Sequence, residues 1–263
     1  MRIFRPPWPR ASRQSRCGRR VPDRDRGESS VFQGVADVFF PARCQGCNQQ
    51  TGPQLASLCD TCRARLSPLT SPLCTCCGTI FTSGEDHLCG ACLGKTFAFS
   101  RARSLFSYKD PLRSLLVRLK FGGDLSVLET LATLARQAEA EQAVHVPDCL
   151  IPVPLHKKRL QRRGFNQALL LARACFPAWQ AALCPNLLCR HRSTVPQTEL
   201  SGKARRNNLK NSFSLREVDL IRGRKVLLVD DVYTTGSTLH ECARVLVRAG
   251  AERVEAFTVA RVL

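Results

Sequence analysis

Four C-x2-C pairs, Cys44/Cys47, Cys59/Cys62, Cys74/Cys77 and Cys89/Cys92, follow one another, each starting fifteen residues after the last. Two thiolates separated by two residues sit on one tight turn and grip a single metal ion, and two such knuckles complete a closed tetrahedral zinc site. Gly46, Gly78 and Gly90 lie in or beside these turns, where a positive φ is called for. The forty-nine residues from Cys44 to Cys92 hold few large apolar side chains, so this segment needs metal in order to fold. Two structural zinc ions are expected, and a catalytic role is excluded because four sulfurs leave no open coordination position. Equal spacers permit consecutive sites (first pair with second, third with fourth) or a crossed brace of first with third; the consecutive arrangement is favoured. Cys76 reads as a bystander, and Cys17, Cys149, Cys175, Cys184, Cys189 and Cys242 as core or incidental thiols.

Fifteen cysteines in a chain without an export signal argue against a disulfide framework. No apolar run approaches the roughly 18 to 20 residues needed to cross a bilayer, so no membrane insertion and a cytoplasmic location are expected. The 263 residues suffice for one ordinary domain plus a small one. The formal charge is +19, of which +6 sits on the first thirty residues, where nine Arg face three acids; residues 1–37 read as a basic, disordered tail. The +13 left on the remainder attracts polyanions, either nucleic acid or phosphorylated metabolites. Aromatic residues are only 6% of the chain, which leaves few stacking platforms for single-stranded nucleic acid.

After Cys92 the composition changes. "ARSLFSYKDPLRSLLVRLKFGGDLSVLETLATLARQ" reads as a strand and two helical segments, with Leu112, Leu115, Leu116 and Leu119 at helical spacing. Lys120, beside the "GGD" turn, is either a partner for the helix C-terminus or a phosphate ligand. "DCLIPVPLHKKRLQRRGFNQALLLARACF" predicts a short strand ending in Pro152 and Pro154, a basic loop, and a helix from Asn166. In "KVLLVDDVYTTGSTLHECARVL", Val226 to Val229 predict a buried central strand that delivers Asp230 and Asp231 to a crevice as the chain leaves the sheet, with a helix from about Ser237 stopped by Gly250. Strands alternating with helices imply a mostly parallel sheet with helices on both faces, its ligands held in the crevice beyond the carboxyl ends of the strands. "TTGST" then lies at a helix N-terminus that favours a phosphate, with Gly236 admitting a close backbone approach. Carboxylates beside it accept hydrogen bonds from vicinal hydroxyls, which describes a pocket for a ribose 5-phosphate.

"VLLVDDVYTTGST" resembles the phosphoribosyl-pyrophosphate (PRPP) signature of type I phosphoribosyltransferases. Together with the cysteine array, "YKDPLRSLLVRLKFGGD", "PVPLHKKRLQRRGFNQALLLA" and "VPQTELSGKARRNNLKNSF", it resembles the ComF/GntX family over residues 38–263. That resemblance implies a small double zinc ribbon (38–95) ahead of an α/β domain of type I phosphoribosyltransferase fold (96–263). Asp230 and Asp231 would take the ribose hydroxyls, and Thr234, Thr235, Gly236, Ser237 and Thr238 the 5-phosphate. Leu155, His156, Lys157, Arg159 and Arg163, with Lys120, would meet the pyrophosphate. The segment "RHRSTVPQTELSGKARRNN" resembles the mobile loop of glutamine amidophosphoribosyltransferase and nominates Arg190, Gln197, Arg206 and Asn207. Magnesium would arrive with PRPP, and no side chain in these motifs stands out as a general base. The family implies a role in DNA uptake or DNA utilisation, with single-stranded DNA and helicase or uptake machinery as partners; phosphoribosyl transfer to a base or amine acceptor is the alternative.

Overall fold

A four-stranded sheet, all of whose neighbours run parallel, organises the chain. The computed structural model describes residues 42–51, 58–191 and 211–263. Two short helices, α1 (Asp60–Ala64) and α2 (Gly90–Leu93), belong to the cysteine-rich segment. Strand β1 (Arg101–Ser107) leads to α3 (Leu112–Val117), a π-helical turn (Arg118–Gly122) and α4 (Val127–Gln137). Strand β2 (Cys149–Pro152) is followed by α5 (Lys157–Arg163) and α6 (Gln167–Cys175). A small antiparallel pair, β3 (Leu188–Arg190) and β4 (Phe213–Leu215), precedes β5 (Lys225–Tyr233), α7 (Ser237–Arg248) and β6 (Arg253–Arg261). The sheet order is β1-β6-β5-β2.

Alternation along β5 sorts its side chains between two cores, as period-two geometry requires. Leu227 and Val229 join Leu131, Leu134, Leu171 and Phe257 on one face, with α4 and α6. Val226 and Leu228 join Ile151, Leu239, Cys242 and Leu246 on the other, with α7. Helices thus cover both faces, as the βαβ pattern predicts.

Two local expectations change. The strand runs past Val229 through the acidic pair to Tyr233, with Asp230 opposite Thr258 and Val232 opposite Ala260 on β6. The stretch expected to be a basic loop is the helix α5, capped at its start by the His156 ring, which accepts from the Lys158 amide at 3.3 Å, and ended by Gly164 at φ 81°. None of its residues is buried, so it carries no apolar stripe from which periodicity could be read.

The cysteine-rich segment is fastened along the free edge of β1. The Leu69 amide donates to the Leu105 carbonyl, Ser107 to Ser67, and Ala102 to Cys76, at 2.7 to 2.8 Å. An uncovered parallel edge is a template for aggregation, and here it is occupied by this segment's backbone. Cys44, Leu58 and Cys62 pack into the same core as Leu105, Leu112 and Leu131, while Cys74, Cys77 and Cys92 pack into the opposite core with Phe99, Ile151 and Leu239. Ala42–Leu263 accordingly forms one compact unit.

Candidate functional site

Beyond the carboxyl ends of β2 and β5 opens a crevice of about 580 Å³, lined by Pro154, Leu155, Arg159, Arg162, Arg163, Arg190, Asp230, Asp231, Thr234 and Thr238 together with Lys120 and Phe121 of the π-turn. Five cationic side chains and two carboxylates therefore share one space.

The acidic pair is set by the end of β5. Asp231 is 5% exposed. Its Oδ1 accepts from the Val232 amide at 2.9 Å, and its Oδ2 lies 3.3 Å from Lys120 Nζ. That contact is an ion pair without hydrogen-bond alignment, so Oδ2 is buried with no donor among the described residues. Desolvation, and then the charge of Asp231, pushes the Asp230 carboxyl up to about 8. Lys120, in the last turn of the π-helical segment, lines the crevice and pairs with a carboxylate 111 residues away in sequence. Burial lowers the pKa of Arg163 and of Arg190, as expected for cations held in a partly dry crevice.

The turn at residues 234–238 divides by role. Thr234 and Thr238 line the crevice. Thr235 and Ser237 bond each other, Oγ1 to Oγ at 2.8 Å. Gly236, at φ 69°, precedes α7, and a Cβ there would overlap the Tyr233 ring and hydroxyl and come within 3.1 Å of Phe97 Cε1. The glycine is thus required by a tyrosine packed behind the turn as well as by its left-handed backbone.

On the opposite wall, Arg159, Arg162 and Arg163 project from α5 at helical spacing, and Arg163 Nη1 donates to Gln167 Oε1. Arg162 and Phe121 were not nominated from the sequence; had the basic stretch been read as a helix, spacing from Arg159 would have found Arg162. His156 is committed elsewhere, its Nε2 lying 3.0 Å from the His191 carbonyl, and Lys157 is exposed outside the lining. Arg190 enters the crevice from β3 and lies over the Phe213 ring, 5.4 Å from its centroid. Gln197, Arg206 and Asn207 fall outside the described residues.

The eight paired cysteines gather into two groups, Cys44/Cys47/Cys59/Cys62 and Cys74/Cys77/Cys89/Cys92, with the sulfurs of each group within 4.8 Å of one another. The consecutive arrangement is the one found. Cys47 and Cys59 sulfurs are 3.7 Å apart, as are those of Cys77 and Cys89. Tetrahedral Zn–S bonds of about 2.3 Å imply S···S separations of about 3.8 Å, so the groups fit zinc. Burial opposes ionisation of Cys44 and Cys74, but backbone amides, chiefly those of Cys59 and Cys89, outweigh it and hold both thiols down to about 6. Such N–H···S bonds are those a metal-bound thiolate needs. Cys76 belongs to neither group.

A parallel α/β sheet whose strand ends carry an acidic pair and a helix-capping turn, edged by two tetracysteine knuckle pairs, defines a zinc-ribbon protein of the phosphoribosyltransferase class. Residues 35–93 match the double zinc ribbon domain, and residues 184–263 the phosphoribosyl transferase domain. The chain is 38% identical over 178 residues to Competence protein F of Haemophilus influenzae, an alignment covering 66% of this chain and 78% of that one. It is 36% identical over 182 residues to DNA utilization protein YhgH of Escherichia coli K12 (66% and 78% covered), and 31% identical over 166 residues to Competence protein ComFC of Bacillus subtilis (60% and 63%). A solved glutamine PRPP amidotransferase from B. subtilis, complexed with ADP and GMP, is 21% identical with a TM-score of 0.33, over 50% of this chain and 25% of that one. The chain belongs to the ComF family of competence and DNA-utilisation proteins. Among the described residues no helix is long and apolar enough to cross a membrane.

Proposed function

We propose that the crevice binds PRPP with magnesium, and that the chain serves DNA uptake or DNA utilisation by holding single-stranded DNA on its basic surface. The observation that carries this reading is the buried Asp231 Oδ2, without a hydrogen-bond donor, beside a helix N-terminus and five cations. A ribose hydroxyl supplies the missing donor, the amides and hydroxyls at 234–238 suit the 5-phosphate, and Arg159, Arg162, Arg163 and Lys120 suit the pyrophosphate. Arg190, which also lines the crevice, suits the same phosphates. Relatives named for competence and DNA utilisation supply the cellular context.

Asp230 and Asp231 would also hold a magnesium ion accompanying the ligand, which would supply positive charge to offset that of the leaving group. The protein's own contribution is positioning and charge: Lys120 fixes one carboxylate, and the arginines hold phosphates in a space from which water is partly excluded. Because Asp230 titrates near 8 and the ligand prefers its ionised form, PRPP binding at pH 7 releases a proton and strengthens as pH rises toward 9.

The test is calorimetric titration with PRPP and magnesium in buffers of different ionisation enthalpy, followed by single-stranded DNA binding at two salt concentrations. Micromolar PRPP binding with proton release, and DNA affinity that falls steeply with salt, are expected. Absence of PRPP binding would overturn the crevice assignment, and salt-independent DNA binding the surface assignment. Pyrophosphate release, with and without DNA, then decides whether the bound PRPP is turned over.

A further inference from the structure

The second tetracysteine group reaches the crevice from behind. Arg261, the last residue of β6, is buried at 7% exposure. Its Nη1 donates to the Cys77 carbonyl at 2.6 Å, and its Nη2 lies 3.5 Å from Cys77 Sγ and donates to Thr79 Oγ1. The same guanidinium covers the Tyr233 ring, 4.2 Å from its centroid. Tyr233, itself 3% exposed, fills the place a Cβ would need at Gly236. An unbroken chain of contacts therefore runs from a cysteine ligand, through Arg261 and Tyr233, to the backbone of the turn at 234–238.

We infer that Arg261 is a positioning residue through which metal at Cys74/Cys77/Cys89/Cys92 holds that turn in its ligand-binding shape. The inference rests on the reading of the turn as a phosphate site. A zinc ion with four thiolates presents net negative charge to the guanidinium, and a buried cation needs such a counter-charge. Hydrogen bonds from Arg261 to a ligand residue's sulfur and carbonyl orient the knuckle in turn. Close packing passes any displacement on, because Tyr233 meets bare backbone at Gly236 with no side chain between them to absorb it. The first tetracysteine group has a different attachment: Arg118 Nη1 donates to the Gln45 carbonyl at 2.6 Å and Arg118 pairs with Asp124 at 2.6 Å, at the base of the π-turn that carries Lys120.

The chain has two tyrosines, Tyr108 and Tyr233, so fluorotyrosine labelling yields two 19F lines, assigned by Tyr108→Phe. In Arg261→Lys, which keeps the charge but loses the planar fork, zinc content should stay at two while the Tyr233 line moves. PRPP–magnesium affinity should fall about tenfold, as expected for losing one or two charge-assisted contacts that hold a site. An unmoved Tyr233 line with affinity within about twofold of wild type would overturn the inference. If Arg261→Lys does not fold, Thr79→Val removes one of the guanidinium's ribbon-side acceptors while leaving the Cys77 carbonyl, and is read in the same way. If wild type binds no PRPP, the crevice assignment fails, and the Tyr233 line alone then decides the Arg261 link.

Discussion

The cysteine-rich segment and the α/β region reach their folded states by different means, yet neither finishes its own surface. The sheet is sandwiched between α4 and α6 on one side and α7 on the other, but β1 is left with an open edge. The cysteine-rich segment has two four-sulfur clusters in place of a core, and the apolar groups it does bury, such as Leu58, pack against the sheet's two cores. Separate means of holding together would allow separate stabilities. The backbone bonds from Ser67, Leu69 and Cys76 to β1, and the shared cores, imply one cooperative unit instead.

Stripping both metals is the largest perturbation of that unit, since structural zinc contributes on the order of 10 kcal/mol to small metal domains. Protein purified without chelator should hold two zinc ions, and their removal should abolish protection of β1 and β6 amides in hydrogen exchange as well as that of the ribbon. A sheet still protected after zinc loss would restore the picture of two independent halves.

A second comparison sets the acidic pair against the core around it. The folded Asp230 carboxyl titrates near 8, well above the ordinary carboxylate range, so the folded state holds this proton more tightly than the unfolded chain. Stability is therefore lost as pH rises from about 4 through 8 and levels off above. Asp230→Asn should equal wild type near pH 4 and exceed it by about 1 kcal/mol or more at pH 9, measured by urea unfolding. A variant less stable than wild type at pH 9 would remove the strain assigned to this site.

The smallest expected effect is at the first cluster's attachment. Arg118→Ala loses hydrogen bonds to the Gln45 carbonyl and to the partly exposed Asp124 and should cost less than about 1 kcal/mol in thermal unfolding. It should also lower PRPP affinity slightly through Lys120. No change in either would mean that the first knuckle merely rests on the π-turn.

What could be read from the sequence follows from what each feature repeats or ends on. The C-x2-C pairs announced the metal groups because two thiolates on one ion tolerate little variation in the gap between them, and the run from Val226 through Ser237 announced strand, turn and helix because apolar content changes sharply there. Helix α5 escaped because none of its residues is buried. The Lys120–Asp231 pair and the Arg261 bridge to Cys77 join residues far apart in sequence, and the Tyr233 wedge behind Gly236, only three residues away, follows from the shape of the turn; no local pattern encodes them. The ribbon's dependence on β1 was hidden for the same reason.

The account stands most directly on the acidic pair as a ribose and magnesium site beside a phosphate-binding helix end. Changing both Asp230 and Asp231 to Asn removes negative charge from a crevice with five cations, so a plain anion site would bind inorganic phosphate and PRPP as well or better. Lost charge-assisted hydrogen bonds of roughly 1.5 to 3 kcal/mol each predict the opposite for PRPP. Calorimetric titration of wild type and double variant should show PRPP–magnesium affinity reduced at least about tenfold and phosphate affinity unchanged or raised. PRPP affinity equal to or above wild type in the double variant would contradict the account.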